Sequence, residues 1–501
     1  MSTAAADTSV RDLLNRAPLA GRYGPAVALA LLALCPFIVL TTAMTLVAQQ
    51  VTQALGTSPF AFQLSAGLAN ALYAFGAVAS ADLVKRVPAR WVFVACEALF
   101  VAGSLIAGLA GGIVPFTIGR ALQGLATGML LVAALPPLVT EHGAEKIPAT
   151  AAFINLGLFG MVTLGPMVGG AFAAADEWRV MFFAVAALGL LGLVFGLLAF
   201  RRQDPFQPDF PFDRLAVPLA IGGTVLPFVG VSFLTTGSFA QPVFIVTVAA
   251  GLAALVVLIV AQKRRANALM PVDPISHTLP VSGIVVAMGV GAAFTTMLEL
   301  TELYLLDVVR DAPVVVGALL AGQIGGVVVA ALLFKRVLTT RWMPAFAFTG
   351  VLGVAAAGVL LLVLDRASAA VLVPIAAVLL GYGAGAGVSP GLFMAGLSVP
   401  SRQIGPTFAL VELLRSEAAF LVGPVLLHVA MIAGSLAAGF TLAIAIVLGV
   451  LLASAAVALA VLLLGGARPH RPELEAWLEG EHPAYQSPAF LATLRPEPAS
   501  G

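Results

Sequence analysis

The chain has 501 residues, of which 60% are apolar and only 10% are charged. Its 25 Lys and Arg residues nearly balance its 24 Asp and Glu residues, so the formal net charge is +1, and the mean hydropathy is +1.06. A soluble domain is about half apolar and a quarter charged, so this composition excludes a soluble cytosolic enzyme, a disordered chain and a nucleic-acid-binding protein. It indicates a membrane protein that crosses the bilayer many times.

Fourteen apolar runs, separated by charged or turn residues, are each long enough to span a bilayer, which takes about 20 residues in a helix. The first run is too long for the apolar core of a signal peptide and more spans follow it, so we interpret it as an uncleaved first helix. The weakest junctions lie at 111–115, between runs 3 and 4, and at Gly434, between runs 13 and 14. In chain order the predicted helices cover 24–48, 60–80, 91–113, 114–139, 149–174, 179–200, 214–235, 242–262, 280–305, 313–334, 342–364, 368–397, 404–432 and 436–466.

The distribution of basic residues predicts the orientation. With fourteen helices and the N-terminus inside, twenty of the 25 Lys and Arg residues fall in loops on the inner side. Three fall outside (Arg179, Arg310 and Arg366) and two lie within helices (Arg120 and Arg415). Because inner loops carry the excess of positive charge, both termini are predicted to be cytoplasmic.

Two pairs of short segments recur at nearly the same spacing. The segment LVKRVPARW at 83–91 aligns with LFKRVLTTRW at 333–342, and LGP at 164–166 aligns with VGP at 422–424. The similar offsets indicate duplicated halves, although basic loops and Gly-Pro kinks also recur by chance in membrane helices. Duplicated halves are typical of carriers that expose a central site to each side of the membrane in turn.

The repeat predicts how the chain is divided. If helices 1–6 correspond to helices 9–14, then helices 7 and 8 form an inserted hairpin. The tail has one apolar cluster, at 474–478, and forms either a short surface helix or no regular structure. The predicted parts are an N-terminal six-helix bundle (1–200), a linker with two extra helices (201–279), a C-terminal six-helix bundle (280–467) and a cytoplasmic tail (468–501).

Four local motifs add to this pattern. They are a loop motif of Gly76, Asp82, Lys85, Arg86 and Arg90, a helix-4 motif of Arg120, Gln123 and Gly124, a helix-5 motif of Gly160, Gly165, Pro166, Gly169 and Gly170, and Arg415 in helix 13. With the fourteen helices, they resemble the major facilitator superfamily, in its fourteen-helix branch of drug:proton antiporters. The loop motif departs from the family pattern, because its spacing is loosened and the usual glycine after the acid is missing.

The resemblance carries several expectations. It implies an all-α membrane fold of two six-helix bundles plus the hairpin. It implies that the helix-5 motif is associated with antiport and that the loop motif holds the halves together on the cytoplasmic side. Drug exporters of this branch commonly carry an aspartate in helix 1, but here 39–45 reads VLTTAMT and helix 1 has no carboxylate. Proton coupling therefore has to depend on other buried acids.

Charges inside membrane helices are costly and are functional candidates by default. Glu412 and Arg415, three residues apart, are expected to pair on one helix face. The remaining acids outnumber the arginines, which leaves carboxyl groups that could load and release protons. The seven candidates for proton coupling or the substrate cavity are Glu97, Arg120, Glu299, Glu302, Glu412, Arg415 and Glu417.

We predict that Glu299 and Glu302, on one face of helix 9, form the proton relay, with Glu97 as a second candidate. The alternative is that helix 9 ends earlier and leaves both acids wetted at the outer mouth beside Asp307. Arg120 is expected to orient a carboxylate, for which Glu97 is one possible partner, or else to serve a structural role.

Other classes of protein fit less well. Residues 387–391 match G-x-S-x-G, but they lie in an apolar helix and not on a strand-to-helix turn, so an intramembrane hydrolase is not expected. The sequence contains no ATP-binding G-x-x-x-x-G-K-[ST] loop, so any pumping is secondary. A channel is disfavoured by the duplicated halves. Cys35 and Cys96 both lie in apolar runs, and neither a metal site nor a cofactor is predicted.

The predicted function is secondary active export of lipophilic or amphipathic small molecules by alternating access, of the multidrug-efflux type, driven by proton antiport. With 30 Phe and only 5 Tyr, apolar cavity walls suit such substrates better than sugars. The expected partners are the substrate, protons and membrane lipid, and the protein is expected to be a monomer in the plasma (inner) membrane. The alternatives are a dedicated carrier for a lipid or a secreted metabolite, and an uncoupled facilitator.

Overall fold

The computed structural model describes residues 17–200, 211, 213–265, 268–480 and 482–490, which form an all-helical membrane protein. Fourteen long helices dominate it, as predicted. They are α1 Tyr23–Ala54, α2 Pro59–Arg86, α3 Ala89–Gly108, α4 Ile113–Thr140, α5 Ile147–Ala175, α6 Trp178–Ala199, α7 Ala216–Ser232, α8 Pro242–Arg264, α9 Thr278–Leu303, α10 Pro313–Val337, α11 Met343–Leu362, α12 Ala369–Gly396, α13 Ile404–Ile432 and α14 Leu436–Leu464. Thirteen are long and apolar enough to cross a membrane, and the exception is α13, which carries three charged residues.

Both weak junctions prove to be helix ends. The chain is extended at Gly112 before α4 begins, and Gly434 between α13 and α14 has a φ of +104°, which favours glycine. The largest boundary differences are at the C-terminal ends of α1 and α2, which extend to Ala54 and Arg86. Polar residues continue these helices beyond the apolar run from which they were predicted.

Glycines allow α2 and α4 to pack with their backbones in contact. A Cβ on Gly124 would overlap the carbonyl oxygen of Ala69, and a Cβ on Gly128 would overlap that of Tyr73. The same kind of contact occurs in the opposite direction, where a Cβ on Gly76 of α2 would overlap the carbonyl oxygen of Leu125 of α4. In lipid, helices associate through close packing and not through apolar burial, so small residues at such crossings hold the bundle together.

Helix α12 is continuous from Ala369 to Gly396 although it contains five glycines and Pro390 within 381–391. Neighbouring helices pack closely against its glycines. Gly381 contacts Gln323 of α10, Gly387 contacts Val290 of α9, and Gly391 contacts the Gly283 carbonyl of α9. This glycine-rich stretch therefore serves close packing, and its G-x-S-x-G match is helical and forms no nucleophile turn.

The hairpin of α7 and α8 lies beside the two sets of six helices. Helix α7 packs on α2, where Gly67 faces Phe228 and Ser232, and it also reaches α13. Beyond α7, the Phe239 ring stands edge-on to His428 of α13, with 4.7 Å between ring centroids. Helix α8 packs mainly on α7 and exposes most of its apolar surface. One helix of the hairpin thus touches both α2 and α13.

The tail contains a short helix at Leu474–Leu478, so the first of its two alternatives is confirmed. Trp477 within this helix is completely buried. Hereafter the face of the bundle that carries this segment is called the tail side, and the opposite face is called the far side.

The α2–α4 contact can be tested with Gly124→Ala. The added methyl group would overlap the backbone of α2, which cannot move aside as a side chain does, so we expect a loss of about 1–3 kcal/mol and a lower thermal unfolding midpoint in detergent. Gly449→Ala is the matched control, because no described residue lies within 4 Å of a Cβ at that position in α14. Equal unfolding midpoints for the two variants would contradict this explanation of the helix-4 glycine.

Candidate functional site

A cavity of about 80 Å³ lies between the first six and the last six helices. Its wall is mainly apolar and aromatic, with Phe37, Phe159, Phe294 and Phe420 from four different helices. The remaining lining residues are Ile38, Thr41, Thr42, Tyr73, Leu158, Val162, Ala287, Gly291, Thr295, Val388, Ser389, Leu392, Val411, Glu412 and Arg415.

The two halves meet on both sides of this cavity. On the tail side, Gly405 at the start of α13 lies against Pro136 near the end of α4. On the far side, Gly170 of α5 lies against Pro313 of α10, and Gly317 lies against Pro166. Drug-sized ligands occupy pockets of about 300–1,000 Å³. The halves are thus in contact on both sides of the cavity, and the cavity has to widen before it can hold such a ligand.

Glu412 and Arg415 form an ion pair in the cavity wall, as expected from their spacing. The Arg415 Nε donates to Glu412 Oε2 at 2.9 Å, and its Nη2 bonds to Glu412 Oε1. Tyr73 of α2 donates its hydroxyl to Glu412 Oε1 at 2.8 Å, and Ser416 adds a bond at 3.2 Å. The Tyr73 bond joins the two halves, and it makes the charge pair dependent on a residue from the other half.

An aromatic stack continues this network into the first six helices. Phe37 of α1 stacks on Tyr73 with 5.6 Å between ring centroids and 19° between planes. The Arg120 guanidinium lies 5.4 Å from the centroid of the Phe37 ring, within the range of a cation–π interaction. A connected series of side chains thus runs from Arg120 through Phe37, Tyr73 and Glu412 to Arg415.

Arg120 is buried and uses neutral partners. It donates to Gln123 Oε1 at 2.9 Å and to the Thr41 hydroxyl of α1 at 3.3 Å. Gln123, the second residue of the helix-4 motif, donates in turn to Ser104 of α3 at 2.8 Å. The helix-4 motif therefore holds a guanidinium directly behind the cavity wall, because Thr41 lines the cavity.

The suggested pairing of Arg120 with Glu97 is not present. Glu97 is fully buried between α3 and α6, where a Cβ on Gly192 would lie 2.5 Å from its Oε1. Neither of its carboxyl oxygens has a hydrogen-bond partner among the described residues. Although α3 and α4 are sequence neighbours, the Glu97 side chain turns to α6 while that of Arg120 turns to α1.

Glu299 and Glu302 lie in the last two turns of α9, which continues past them as a π-helical segment, Tyr304–Val309. The helix therefore does not end before the two acids. Glu302 is 2% exposed and lies against Thr45 of α1, while its Oε1 has no hydrogen-bond partner among the described residues. Glu299 is half-buried and lies against Gly423 of α13. Glu302 thus brings a carboxyl group of α9 to the α1 surface.

Glu417 of α13 is a further buried acid. It is 6% exposed, and within the described part of the chain neither carboxyl oxygen has a hydrogen-bond partner. It does not line the cavity that contains Glu412 and Arg415. The structure therefore brings Glu412 and Arg415 together at the cavity, while Glu417 stands apart from them on the same helix.

The helix-5 motif has two packing faces. Gly165 and Gly169 bring α5 against Thr42 and Ala43 of α1, within the first six helices. Pro166 and Gly170 bring it against α10, in the other half, as described above. Among the described residues, a Cβ on Gly160 would meet only Leu156 of its own helix, at 3.4 Å. Four of the five motif residues thus place α5 between a neighbour in its own half and one in the other half.

The loop motif connects α2 to α6 and to the segment that follows the hairpin. Asp82 pairs with Arg86 at 2.8 Å, and Arg90 donates to the carbonyl oxygen of Leu197 at 2.9 Å. Lys85 donates to the carbonyl oxygen of Leu269, between α8 and α9, at 3.4 Å. The Lys85 bond thus links the motif to the segment that connects the hairpin to the second half.

Asp213, just before α7, organises the base of the hairpin. Its carboxylate accepts bonds from the backbone N–H groups of Leu215 and Ala216, from Gln262 at 2.7 Å and from Arg265. Burial opposes ionisation of this group, but the bonds from Arg265, Gln262 and the backbone outweigh it and lower the pKa of Asp213 from its ordinary value. Asp213 therefore remains ionised at neutral pH and fastens α7 to α8.

Several neutral residues of the site were missed by the sequence interpretation. Tyr73, Thr41 and Thr45 contact the charged candidates, and Asn155 of α5 donates to the carbonyl oxygen of Gly385 in α12 at 2.9 Å. Each is a hydrogen-bonding residue in a strongly apolar helix, and this contrast is the sequence feature that could have identified them. That signal is weak, because hydroxyl groups in helices often bond to their own backbone, as Thr41 also does to Phe37.

The comparisons with known proteins agree with this architecture. The family model of the major facilitator superfamily matches residues 29–424. Among solved structures, a POT family transporter in complex with 5-aminolevulinic acid aligns with a TM-score of 0.62 at 14% identity, over 88% of this chain and 96% of that one. The peptide transporter POT in complex with sulfate aligns with a TM-score of 0.62 at 18% identity, over 90% and 98% of the two chains. The chain belongs to the major facilitator superfamily and is a membrane transporter, not an enzyme.

Curated relatives are distant. An uncharacterized MFS-type transporter of Bacillus subtilis, YubD, is 26% identical over 52% of this chain and 51% of its own length. The Multidrug resistance protein B homolog of Mycobacterium tuberculosis is 29% identical over 29% of this chain and 27% of its own. The thioclapurine efflux transporter tcpA of Claviceps purpurea is 30% identical over 28% and 26%. The chain thus spans about half or less of the length of these relatives.

The dependence of Arg415 on Glu412 gives a stability prediction. Glu412→Gln leaves the guanidinium without its counter-charge in a low-dielectric site, so we expect a loss of about 3 kcal/mol and a clearly lower unfolding midpoint. The double variant Glu412→Gln/Arg415→Met removes both charges and should recover much of the loss. Thermal unfolding of the three proteins in detergent measures this, and a double variant less stable than Glu412→Gln would contradict the ion-pair assignment.

The Asp213 network predicts a pH dependence. Because the folded pKa is lowered, the carboxylate contributes stability that is fully present above its unfolded pKa and is lost as the pH falls through the folded pKa. Asp213→Asn should therefore be less stable than the parent protein at pH 7, and the difference should vanish on acidification. Thermal unfolding of both proteins between pH 7 and pH 3 checks this, and a difference that grows with acidity would show that the sign is wrong.

Proposed function

We propose that this transporter exports lipophilic or amphipathic small molecules in exchange for protons. The mainly apolar and aromatic cavity supports this substrate class, and the efflux and multidrug-resistance names of the distant relatives point the same way. In this proposal the halves are the bundles 1–200 and 280–467, and the protein works as a monomer in the plasma membrane. The tail side is cytoplasmic, in agreement with the excess of basic residues in its loops.

The position of Glu302 is the main observation in favour of proton coupling. It is buried, it faces Thr45 of α1 across the interface of the halves, and one of its oxygens has no hydrogen-bond partner among the described residues. An ionised carboxylate in such a place is costly, whereas a neutral carboxyl is tolerated. The site therefore favours a bound proton while the halves are closed and allows its release when they separate and water enters.

Helix α1 supplies the rest of the site in place of the aspartate that it lacks. Thr41 and Thr45 are four residues apart, so they lie on one face of α1. Thr41 contacts Arg120 and Thr45 contacts Glu302. We infer that Glu302 is the proton carrier, that Glu299 modulates it from the same helix, and that Arg120 favours loss of its proton when the site opens. Glu97 stands apart from this arrangement, inside the first six helices.

The proposed cycle follows from this placement. When the far side opens, the substrate leaves the cavity and Glu302 takes up a proton. When the tail side opens, the proton is released and a new substrate binds between Phe37, Phe294 and the other aromatic walls. Because proton and substrate bind at one interface, each conformational change of the halves carries one or the other.

The test is transport by the purified protein in liposomes under an imposed pH gradient, with a lipophilic fluorescent dye as substrate and a trapped pH indicator for proton flux. Glu302→Gln should lose at least 90% of the gradient-driven dye transport and of the dye-induced proton flux. Glu97→Gln is the matched control, since it also removes a buried acid that has no hydrogen-bond partner among the described residues but lies away from the interface. It should keep most of the dye transport and of the proton flux.

Other results of this experiment would overturn the proton site or favour a different kind of carrier. Full gradient-driven transport by Glu302→Gln, and by the double variant with Glu299→Gln, would overturn the proton site. Dye transport by the parent protein that does not respond to the gradient would favour an uncoupled facilitator. Transport of no dye in a chemically varied panel would favour a dedicated carrier for a lipid or a secreted metabolite.

A further inference from the structure

The tail is fastened to the loops on the tail side of α9–α14. Its main anchor is Trp477, which has no exposed surface and donates its Nε1–H to the carbonyl oxygen of Val399 at 2.8 Å. Val399 lies in the turn between α12 and α13. Leu474, one turn earlier in the short helix, is buried as well. A buried tryptophan with a satisfied N–H is a strong anchor, because it combines a large apolar contact with a directional bond.

Tyr485 provides a second anchor on the same loops. Its backbone N–H donates to the carbonyl oxygen of Leu397 at 2.9 Å, and its hydroxyl donates to that of Leu338 at 3.4 Å. Burial raises the pKa of Tyr485, so the hydroxyl keeps the proton that it donates. The tail thus ties the loop between α10 and α11 to the loop between α12 and α13.

A third set of bonds reaches the start of α9. The Thr278 N–H donates to the carbonyl oxygen of Pro488 at 3.0 Å, and the Leu279 N–H donates to the Ser487 hydroxyl at 3.2 Å. These bonds satisfy N–H groups in the first turn of α9 that have no partner within the helix. All three anchors therefore hold the tail to the last six helices.

The short helix Leu474–Leu478 also touches the other half. It lies against the 3₁₀ turn Ala144–Lys146, which joins α4 to α5. This is the side on which Gly405 of α13 meets Pro136 of α4 below the cavity. Any movement that opens the cavity to the tail side has to separate α4 and α5 from α12 and α13, and therefore also breaks the contact between the tail and this turn.

We propose that the tail is a clamp that keeps the cavity closed on the tail side. Trp477 and Tyr485 hold it on the second half, and the face of its short helix rests on the turn at 144–146 of the first half. Releasing the tail removes contacts that exist only in the closed arrangement, so the population shifts toward conformations open on that side. The inference rests on the family membership and is independent of the substrate and of proton coupling.

The first test measures access to the cavity. Ser389 lines the cavity and its hydroxyl has no hydrogen-bond partner among the described residues, so Ser389→Cys, in a background in which Cys35 and Cys96 are replaced by Ser, reports opening through labelling by a membrane-impermeant maleimide. With the reagent applied from the tail side, Trp477→Ala should raise the labelling rate at least threefold. Trp342→Ala is the matched control, because it removes an exposed tryptophan from the loop between α10 and α11, and it should leave the rate unchanged.

The second test leaves the buried anchors of the tail unchanged. Glu145 and Glu475 are exposed and belong to the two elements in contact, so cysteines at both positions should be joined by a short bifunctional maleimide. The cross-link should lower Ser389→Cys labelling and transport by at least 80%, whereas modification of either single cysteine should lower neither. Failure to cross-link, full transport after complete cross-linking, or an unchanged labelling rate in folded Trp477→Ala would each overturn the clamp.

Discussion

Glu412 and Arg415 can remain charged inside the bundle only because each satisfies the other, and because Tyr73 and Ser416 bond to the carboxylate. The free energy of removing two charges from water exceeds the stabilisation from a single contact between them, so a buried ion pair needs additional hydrogen bonds. One of these bonds comes from the other half of the molecule. The interface between the halves is therefore built around this pair, and α13, which carries three charged residues, supplies the polar part of the cavity wall.

Close backbone contact is the second constraint, and it acts differently within the halves and between them. Contacts between α2 and α4, or between α5 and α1, belong to one half and hold it as a unit. Contacts of Gly170 with α10, or of Gly405 with Pro136, join the halves on opposite sides of the cavity. In a carrier that opens one side at a time, contacts of the second kind must break in turn. Glycine suits both, since it contributes close packing without a side chain that has to be rearranged.

The helices could be predicted from sequence because their signal is long and redundant. Each apolar run is long enough to span, and the basic loops between runs constrain the count, so even the doubtful breaks at Gly112 and Gly434 were identified. The ion pair of Glu412 and Arg415 was predictable because its partners are three residues apart. The contacts of Arg120, Glu97 and Glu302 were not, because they depend on how helices distant in sequence are rotated against one another. The anchoring of the tail was missed for the same reason, since Trp477 bonds to a residue 78 positions earlier.

The position of the unpaired acids bears on how transport would be coupled. A carboxyl on α1 would sit within the first half, and its protonation would act on the opposite half only indirectly. Glu302 instead belongs to α9 and meets Thr45 across the interface, so a change in its charge acts directly on a contact that opening must break. The threonines suit this arrangement, because a hydroxyl can donate to an ionised carboxylate and accept from a protonated one. Under the proposed mechanism, the absence of an acid in helix 1 therefore moves the proton site to the interface of the halves, where the energy of protonation acts directly on the movement between them.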